Sequence, residues 1–234
     1  MLDDPDLDAI WFARGGYGCV QLVEDLCWEG FRAHPKWLIG FSDTTTLLSA
    51  VLQQGYACLH ATMPQQIYAH PEAHTDSLRT LKNQLRGVPS MYSWRGEVCG
   101  KLPNESGPLV GGNLSLIYNQ MGPCQVDTRG AWIYLEEVAE YYYHLDRMLW
   151  GLRRSGFFSG SLGILAGGFS QLQDNDDDPW EGDVQALLEQ HAQAVGLPLI
   201  THFPAGHQSP NWALPLGRKA HFEPTSDMVK LHIH

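Results

Sequence analysis

Apolar positions along the chain alternate between two rhythms. The run "AIWFA" (residues 9–13) is short and rich in strand formers, and it ends at a glycine turn, "RGGYG" (14–18). Beyond the turn, Cys19, Val20, Leu22, Val23, Leu26 and Cys27 recur at a helical spacing. The same order returns in "KWLIGFSDTTTLL" (36–48), where an apolar run meets Ser42 and a segment rich in Thr and Leu follows. "YACLHA" (56–61) predicts a third strand. Strands separated by helices predict parallel pairing through crossover connections, hence an α/β layer.

Residues 71–105 are more polar, with a predicted helix over "DSLRTLKNQL" and strand-like pieces in "MYSW" and "EVCGKL". They read as a passage between an α/β lobe over residues 1–70 and a mixed α/β lobe over 106–234. In the second lobe the pattern predicts strands at "AWIYLEE", "LGILAGGF" and "LPLITHF", and helices at "YYHLDRMLWGLRRSG" and "DVQALLEQHAQAV". The last residues, "KAHFEPTSDMVKLHIH", predict two short antiparallel strands around a Pro-Thr-Ser-Asp turn.

Composition narrows the partners. A net charge of −11 argues against nucleic acid, whose phosphates call for clustered Lys and Arg. No apolar run approaches the roughly 18 residues of a membrane span, and "MLDDPDLDAI" lacks the basic and apolar regions of a signal peptide. Cys19, Cys27, Cys58, Cys99 and Cys124 are scattered, with no C-x-x-C pair. Reduced thiols in a cytoplasmic protein are the simplest account, and neither metal nor cofactor is expected.

Four stretches carry candidate chemistry, and each also has an ordinary reading. Ser42 is either a nucleophile on a strand-to-helix turn or a helix cap. "RGGYG" is either a tight turn or a set of bare N–H groups facing an anion or oxyanion; it fits neither G-x-G-x-x-G nor a Walker loop. Glu136, Glu137 and Glu140 follow a buried strand, where a carboxylate is either solvated or orients a histidine. His202 and His207 stand in the Gly-Pro-rich "THFPAGH", a setting for acid–base use but without H-E-x-x-H metal spacing. The acidic run "QDNDDDPWEGD" (173–183) departs from a calcium loop at Pro179 and Gln185 and reads as solvated, with Asp183 starting the next helix.

Taken in order, "ARGGYGCVQLVEDL", "IGFSDTTTL", "GGNLSLI", "YLEEVAEYYYHLDRML" and "AGHQSPNWALPLG" resemble the LD-carboxypeptidase family of serine peptidases. That family includes murein tetrapeptide carboxypeptidases and microcin C immunity peptidases. The resemblance spans about residues 9–217. It implies Ser42 as nucleophile, Glu136 and His207 as the other triad members, and backbone N–H groups of Gly16 and Asp43 as the oxyanion hole. Glu137 departs from the family's Leu-Glu-Asp context, and the elbow lacks the second glycine of G-x-S-x-G.

The implied reaction is hydrolysis of an amide between an L-centre and a D-amino acid, with release of D-alanine from murein tetrapeptide foremost. The alternatives are an immunity-type peptidase acting on peptidyl or aminoacyl nucleotides, and an inactive binding module. The resemblance also implies a cytoplasmic homodimer with a small peptide as its partner. Family chains carry a further strand–helix–strand portion ahead of "RGGYG". The first sheet is therefore expected to be N-terminally truncated in this sequence, with low activity and self-association as the consequence.

Overall fold

The computed structural model describes residues 1–122 and 124–234. Strand β1 (Ala9–Trp11) leads through the glycine turn into a single helical turn, α1 (Cys19–Leu22), and then α2 (Glu29–Ala33). Strand β2 (Trp37–Gly40) feeds α3 (Thr45–Gln53), followed by β3 (Cys58–His60), α4 (Pro64–Ala69) and α5 (Thr75–Leu85). β4 (Ser90–Trp94), β5 (Val98–Cys99), β6 (Gly107–Asn113), α6 (Leu114–Asn119) and β7 (Trp132–Val138) come next. The chain ends with α7 (Tyr142–Arg154), β8 (Gly163–Ser170), α8 (Val184–Ala194), β9 (Leu199–Ile200), β10 (Leu214–Leu216), β11 (Lys219–Pro224) and β12 (Val229–Ile233).

These strands make two sheets, and the fold is the expected mixed α/β one. The first has the order β1-β2-β3-β10. Its first three strands are parallel, and β10 returns antiparallel to β3. The second has the order β4-β12-β11-β6-β7-β8-β9-β5, with β6 to β9 parallel and the flanking pairs antiparallel. Residues 71–105 thus supply both edge strands of the second sheet. Residues 106–234 return one strand, β10, to the first.

Burial explains which predicted elements extend and which stop short. α3 buries seven consecutive residues, Thr45 to Val51, because it is packed between β2, β3 and β6. The helix expected over 19–27 closes after one turn and becomes a 3-10 turn at Val23–Asp25. Neither piece fully buries a residue, and Cys19 and Val23 pack only partly against the core, so little offsets the cost of propagating so short a helix. The strand expected at "LPLITHF" is cut to Leu199–Ile200, since His202 has φ +60° and leaves the β region. β11 and β12 pair from Ala220–Ile233 to Pro224–Val229 around the expected turn. Trp132, Tyr134 and Phe203 are wholly buried in the main core, which Leu48 and Val51 of α3 also join. Among the described residues no helix is long and apolar enough to cross a membrane.

Candidate active site

β2 is buried along Leu38 to Gly40 and delivers the chain into a sharp turn. Phe41 is extended (φ −157°, ψ −170°), and Ser42 then takes φ +62°. A non-glycine residue in that region costs about 1–3 kcal/mol and persists only where its surroundings hold it. Here the Thr44 hydroxyl donates to Phe41 O (2.8 Å), closing the 3-10 turn that opens α3. The helix N-cap is Thr44. Ser42 Oγ instead lies 3.1 Å from His207 Nε2.

His207 comes from the loop between β9 and β10. The Gly206 N–H donates to Asn211 Oδ1 (2.9 Å), and Ser170 Oγ donates to His207 O (2.7 Å), so the loop is pinned on both sides of the imidazole. His207 Nδ1 is 2.7 Å from Glu136 Oε2, and the His207 backbone N–H donates to the same oxygen at 3.1 Å. With Nδ1–H donating to the carboxylate, Nε2 is left as the acceptor for the Ser42 hydroxyl. Gly206 is needed for this approach: it has φ +109°, and a Cβ there would stand 2.8 Å from Glu136 Oε2.

Glu136 is completely buried, and a register shift in the β7–β8 pairing falls beside it. Leu135 pairs with Ala166 and Glu137 with Phe169, so β8 carries one extra residue across the Glu136 position. Gly168 bridges to Gly206 there, which brings the His207 loop onto β8. Neighbouring side chains on a strand point to opposite faces, and the two glutamates are divided accordingly. Glu137 accepts from Asn113 Nδ2 (2.7 Å), Ser115 N (2.7 Å) and Val138 N (2.9 Å). Burial raises its carboxyl pKa against these bonds. It ties β7 to the start of α6, while Glu136 meets the histidine.

The glycine turn forms the facing wall. A Cβ on Gly15 would lie 2.9 Å from Ser42 Cβ and 3.0 Å from its Oγ, so only glycine allows the turn this close. The Cys19 N–H donates to Asp43 Oδ2 (3.1 Å), fastening the far end of the turn to the residue after Ser42. Gly16 follows Gly15 in this wall, and Asp43 follows Ser42. Both thus border the serine.

Other expected candidates lie apart. His202 is exposed and paired with Thr201 Oγ1 (2.6 Å), and Glu140 pairs with His144 (2.5 Å). In the acidic run, Asp183 caps α8 through Ala186 N (2.9 Å), and the rest is an exposed loop except for the half-buried Trp180, which stacks on Tyr142. Among the described residues no cluster of three His, Cys, Asp or Glu side chains has metal-binding geometry.

Pattern reading misses His60. It ends β3 directly beside Gly40, with its ring 4.9 Å from Tyr134 and 5.6 Å from Phe41. Phe41 in turn lies 4.8 Å from the His207 ring. The one local signal is a histidine inside the apolar run "YACLHA". Burial lowers its pKa to about 4, outweighing the upward pull of Glu136, with His207 adding a downward push. A histidine held neutral in the fold stabilises it fully above the unfolded value of 6.5, and that share is lost as pH falls toward 4. Urea unfolding at pH 7 and pH 4 should therefore show about 3 kcal/mol more acid destabilisation in the native chain than in His60→Phe. Equal acid sensitivity in the two proteins would refute this.

The matches to known proteins agree with this architecture. Residues 1–61 match the LD-carboxypeptidase N-terminal domain, and residues 106–222 the LD-carboxypeptidase C-terminal domain. The murein tetrapeptide carboxypeptidase of Pseudomonas aeruginosa is 32% identical over 237 residues, covering 94% of this chain and 74% of that protein. A putative carboxypeptidase of Synechocystis is 32% identical over 226 residues, covering 94% of this chain and 71% of its own. The solved muramoyltetrapeptide carboxypeptidase from Oxalobacter formigenes aligns at a TM-score of 0.90 with 26% identity, over 99% of this chain and 80% of that one. The microcin C7 self-immunity protein MccF shares the fold at a TM-score of 0.85 and 18% identity, over 99% of this chain and 77% of its own. Fold and relatives together define a peptidase of the carboxypeptidase class. The chain belongs to the LD-carboxypeptidase family.

Proposed function

We propose that this chain is a serine-type LD-carboxypeptidase that releases the terminal D-alanine of murein tetrapeptide. The observation that carries the reading is the continuous chain of contacts from Ser42 Oγ through His207 to Glu136, at 3.1 and 2.7 Å, on a turn strained at Ser42. The names of the relatives support the substrate, and the family resemblance supports a cytoplasmic homodimer acting on recycled wall fragments.

In this reading His207 Nε2 takes the hydroxyl proton as Ser42 Oγ attacks the carbonyl carbon of the scissile amide. The N–H groups of Gly16 and Asp43 receive the developing oxyanion, each donor worth roughly 3 kcal/mol of barrier. His207 then gives its proton to the leaving nitrogen of D-alanine, leaving an acyl ester on Ser42. Water attacks that ester with His207 again as base; the Ser42 Oγ–acyl bond breaks, His207 returns the proton to Oγ, and the tripeptide leaves as its carboxylate. Glu136 holds the imidazole in the required tautomer and stabilises the imidazolium.

Two measurements test this. A fluorophosphonate should label the chain at Ser42 and fail to label Ser42→Ala. A panel should show D-alanine release from murein tetrapeptide, and none from the same peptide ending in L-alanine. Labelling elsewhere would overturn the nucleophile. Cleavage of an aminoacyl nucleotide in preference to the tetrapeptide would overturn the substrate and favour the immunity-type activity.

A further inference from the structure

An exopeptidase of this kind must recognise the free carboxylate that follows the bond it cuts. That carboxylate carbon is three covalent bonds from the scissile carbonyl carbon, which places it within about 4 Å. Its partner must therefore lie within one side chain's reach of the oxyanion donors. The glycine turn and the segments that carry the triad residues comprise residues 12–18, 40–46, 134–138 and 203–211. Together they contain one Lys or Arg, namely Arg14. The acids they contribute, Asp43, Glu136 and Glu137, are all buried and would repel an anion rather than receive it.

Arg14 directly precedes Gly15, the residue of the turn that packs against Ser42. The chain on either side is fastened, since the Phe12 N–H donates to Ile39 O (3.0 Å) and the Gln65 N–H to Ala13 O (3.0 Å). Gly15 then packs against Ser42 itself. The Arg14 side chain folds back along the turn, with Nη2 only 3.6 Å from where a Cβ on Gly16 would stand. Gly16 carries no side chain to block it, so the guanidinium lies over the residue assigned to the oxyanion hole. It is exposed, and among the described residues it has no ion-pair or hydrogen-bond partner. Other arginines in the chain are committed: Arg79 to Asp76, Arg129 to Asp127 and Arg32 to Gln54.

We propose that Arg14 binds the terminal carboxylate of the substrate and thereby restricts the enzyme to the last residue of its peptide. This role rests on the peptidase reading of Ser42. A planar guanidinium matches a carboxylate with two parallel N–H donors, which a lysine ammonium cannot reproduce. The carboxylate is made at no step of the reaction. Its recognition therefore appears in substrate binding and in the choice between chain ends, and leaves the proton transfers to His207.

The test uses the full chain and two peptides, murein tetrapeptide ending in free D-alanine and the same peptide ending in D-alanine carboxamide. The native enzyme should favour the free acid by roughly 10- to 100-fold in kcat/KM, the range for a charge-assisted contact. In Arg14→Met the acid-to-carboxamide ratio should fall to near one, chiefly through a higher KM for the acid. Arg14→Lys should recover part of the preference. If Arg14 served the oxyanion instead, both peptides would suffer alike and the ratio would persist in Arg14→Met, which overturns the assignment. A native enzyme that cleaves acid and carboxamide equally well overturns it too. A native enzyme that cleaves neither overturns the parent reading of the site, and Arg14's role with it. Circular dichroism of Arg14→Met and Arg14→Lys confirms that both are folded before the ratios are compared.

Discussion

Ser42→Ala is expected to lower kcat by about 10⁴- to 10⁶-fold while the protein remains folded. The loss is large because, in the proposed mechanism, the hydroxyl is the one group that forms a bond to carbon. What remains is catalysis by the oxyanion donors and by substrate positioning, which act without it. The fold should tolerate the change, since alanine keeps the Cβ that packs near Gly15 and removes only Oγ. Ser42→Gly adds an independent arm. Glycine accepts φ +62° without steric cost, so this variant should be as inactive as Ser42→Ala yet more stable by about 1 kcal/mol. Stopped-time assays of D-alanine release and urea unfolding measure both effects. Turnover within tenfold of the native enzyme in a folded Ser42→Ala protein would return Ser42 to an ordinary turn residue.

Glu136→Gln is expected to cost about 10³- to 10⁴-fold in kcat with little change in geometry. Oε2 accepts from both the His207 N–H and Nδ1–H, and a glutamine carbonyl can take the same two bonds. Its amide nitrogen would then occupy the place of Oε1, which has no hydrogen-bond partner among the described residues. The substitution removes the charge and preserves the shape, so it isolates stabilisation of the imidazolium. It also moves the pH profile. Burial lowers the His207 pKa, but the hydrogen bond and charge of Glu136, with a further pull from Glu137, outweigh it and leave the imidazole above its ordinary 6.5. In the proposed mechanism His207 must be neutral to accept the Ser42 proton. In the native enzyme kcat/KM should therefore fall as pH drops through a value above 6.5, and in Glu136→Gln that limb should move to lower pH. A limb that stays in place, or a loss of less than tenfold, would show that Glu136 does not act through His207.

Much of this protein was legible before any coordinates. The order of strand, glycine turn and helix around residues 9–27, and of strand, serine and helix around 36–53, is local information. Apolar spacing and turn chemistry act within a few residues, and the same forces make the elements. The candidate residues Ser42, Glu136 and His207 are what the family resemblance implies, carried by five short motifs in register. The structure brings those three side chains together.

Other features depend on contacts far apart in the chain. Two adjacent glutamates look alike in "YLEEV", and the pleat of β7 with its register shift against β8 decides that Glu136 faces His207 while Glu137 faces Asn113. Strand β10 joins β3 across more than 150 residues of chain, beyond any local signal, and it carries the end of the His207 loop to the first sheet. α1 ends after one turn because it is only partly covered, which no spacing of apolar residues reveals. Burial among residues that include Phe41 and Tyr134 lowers the His60 pKa to about 4. The sequence by itself determined the order and kind of most elements and the kinds of side chain available for chemistry, because propensity and periodicity are short-range. The tertiary structure decided which of those side chains meet, since sheet register and loop docking are set by burial summed over the whole chain.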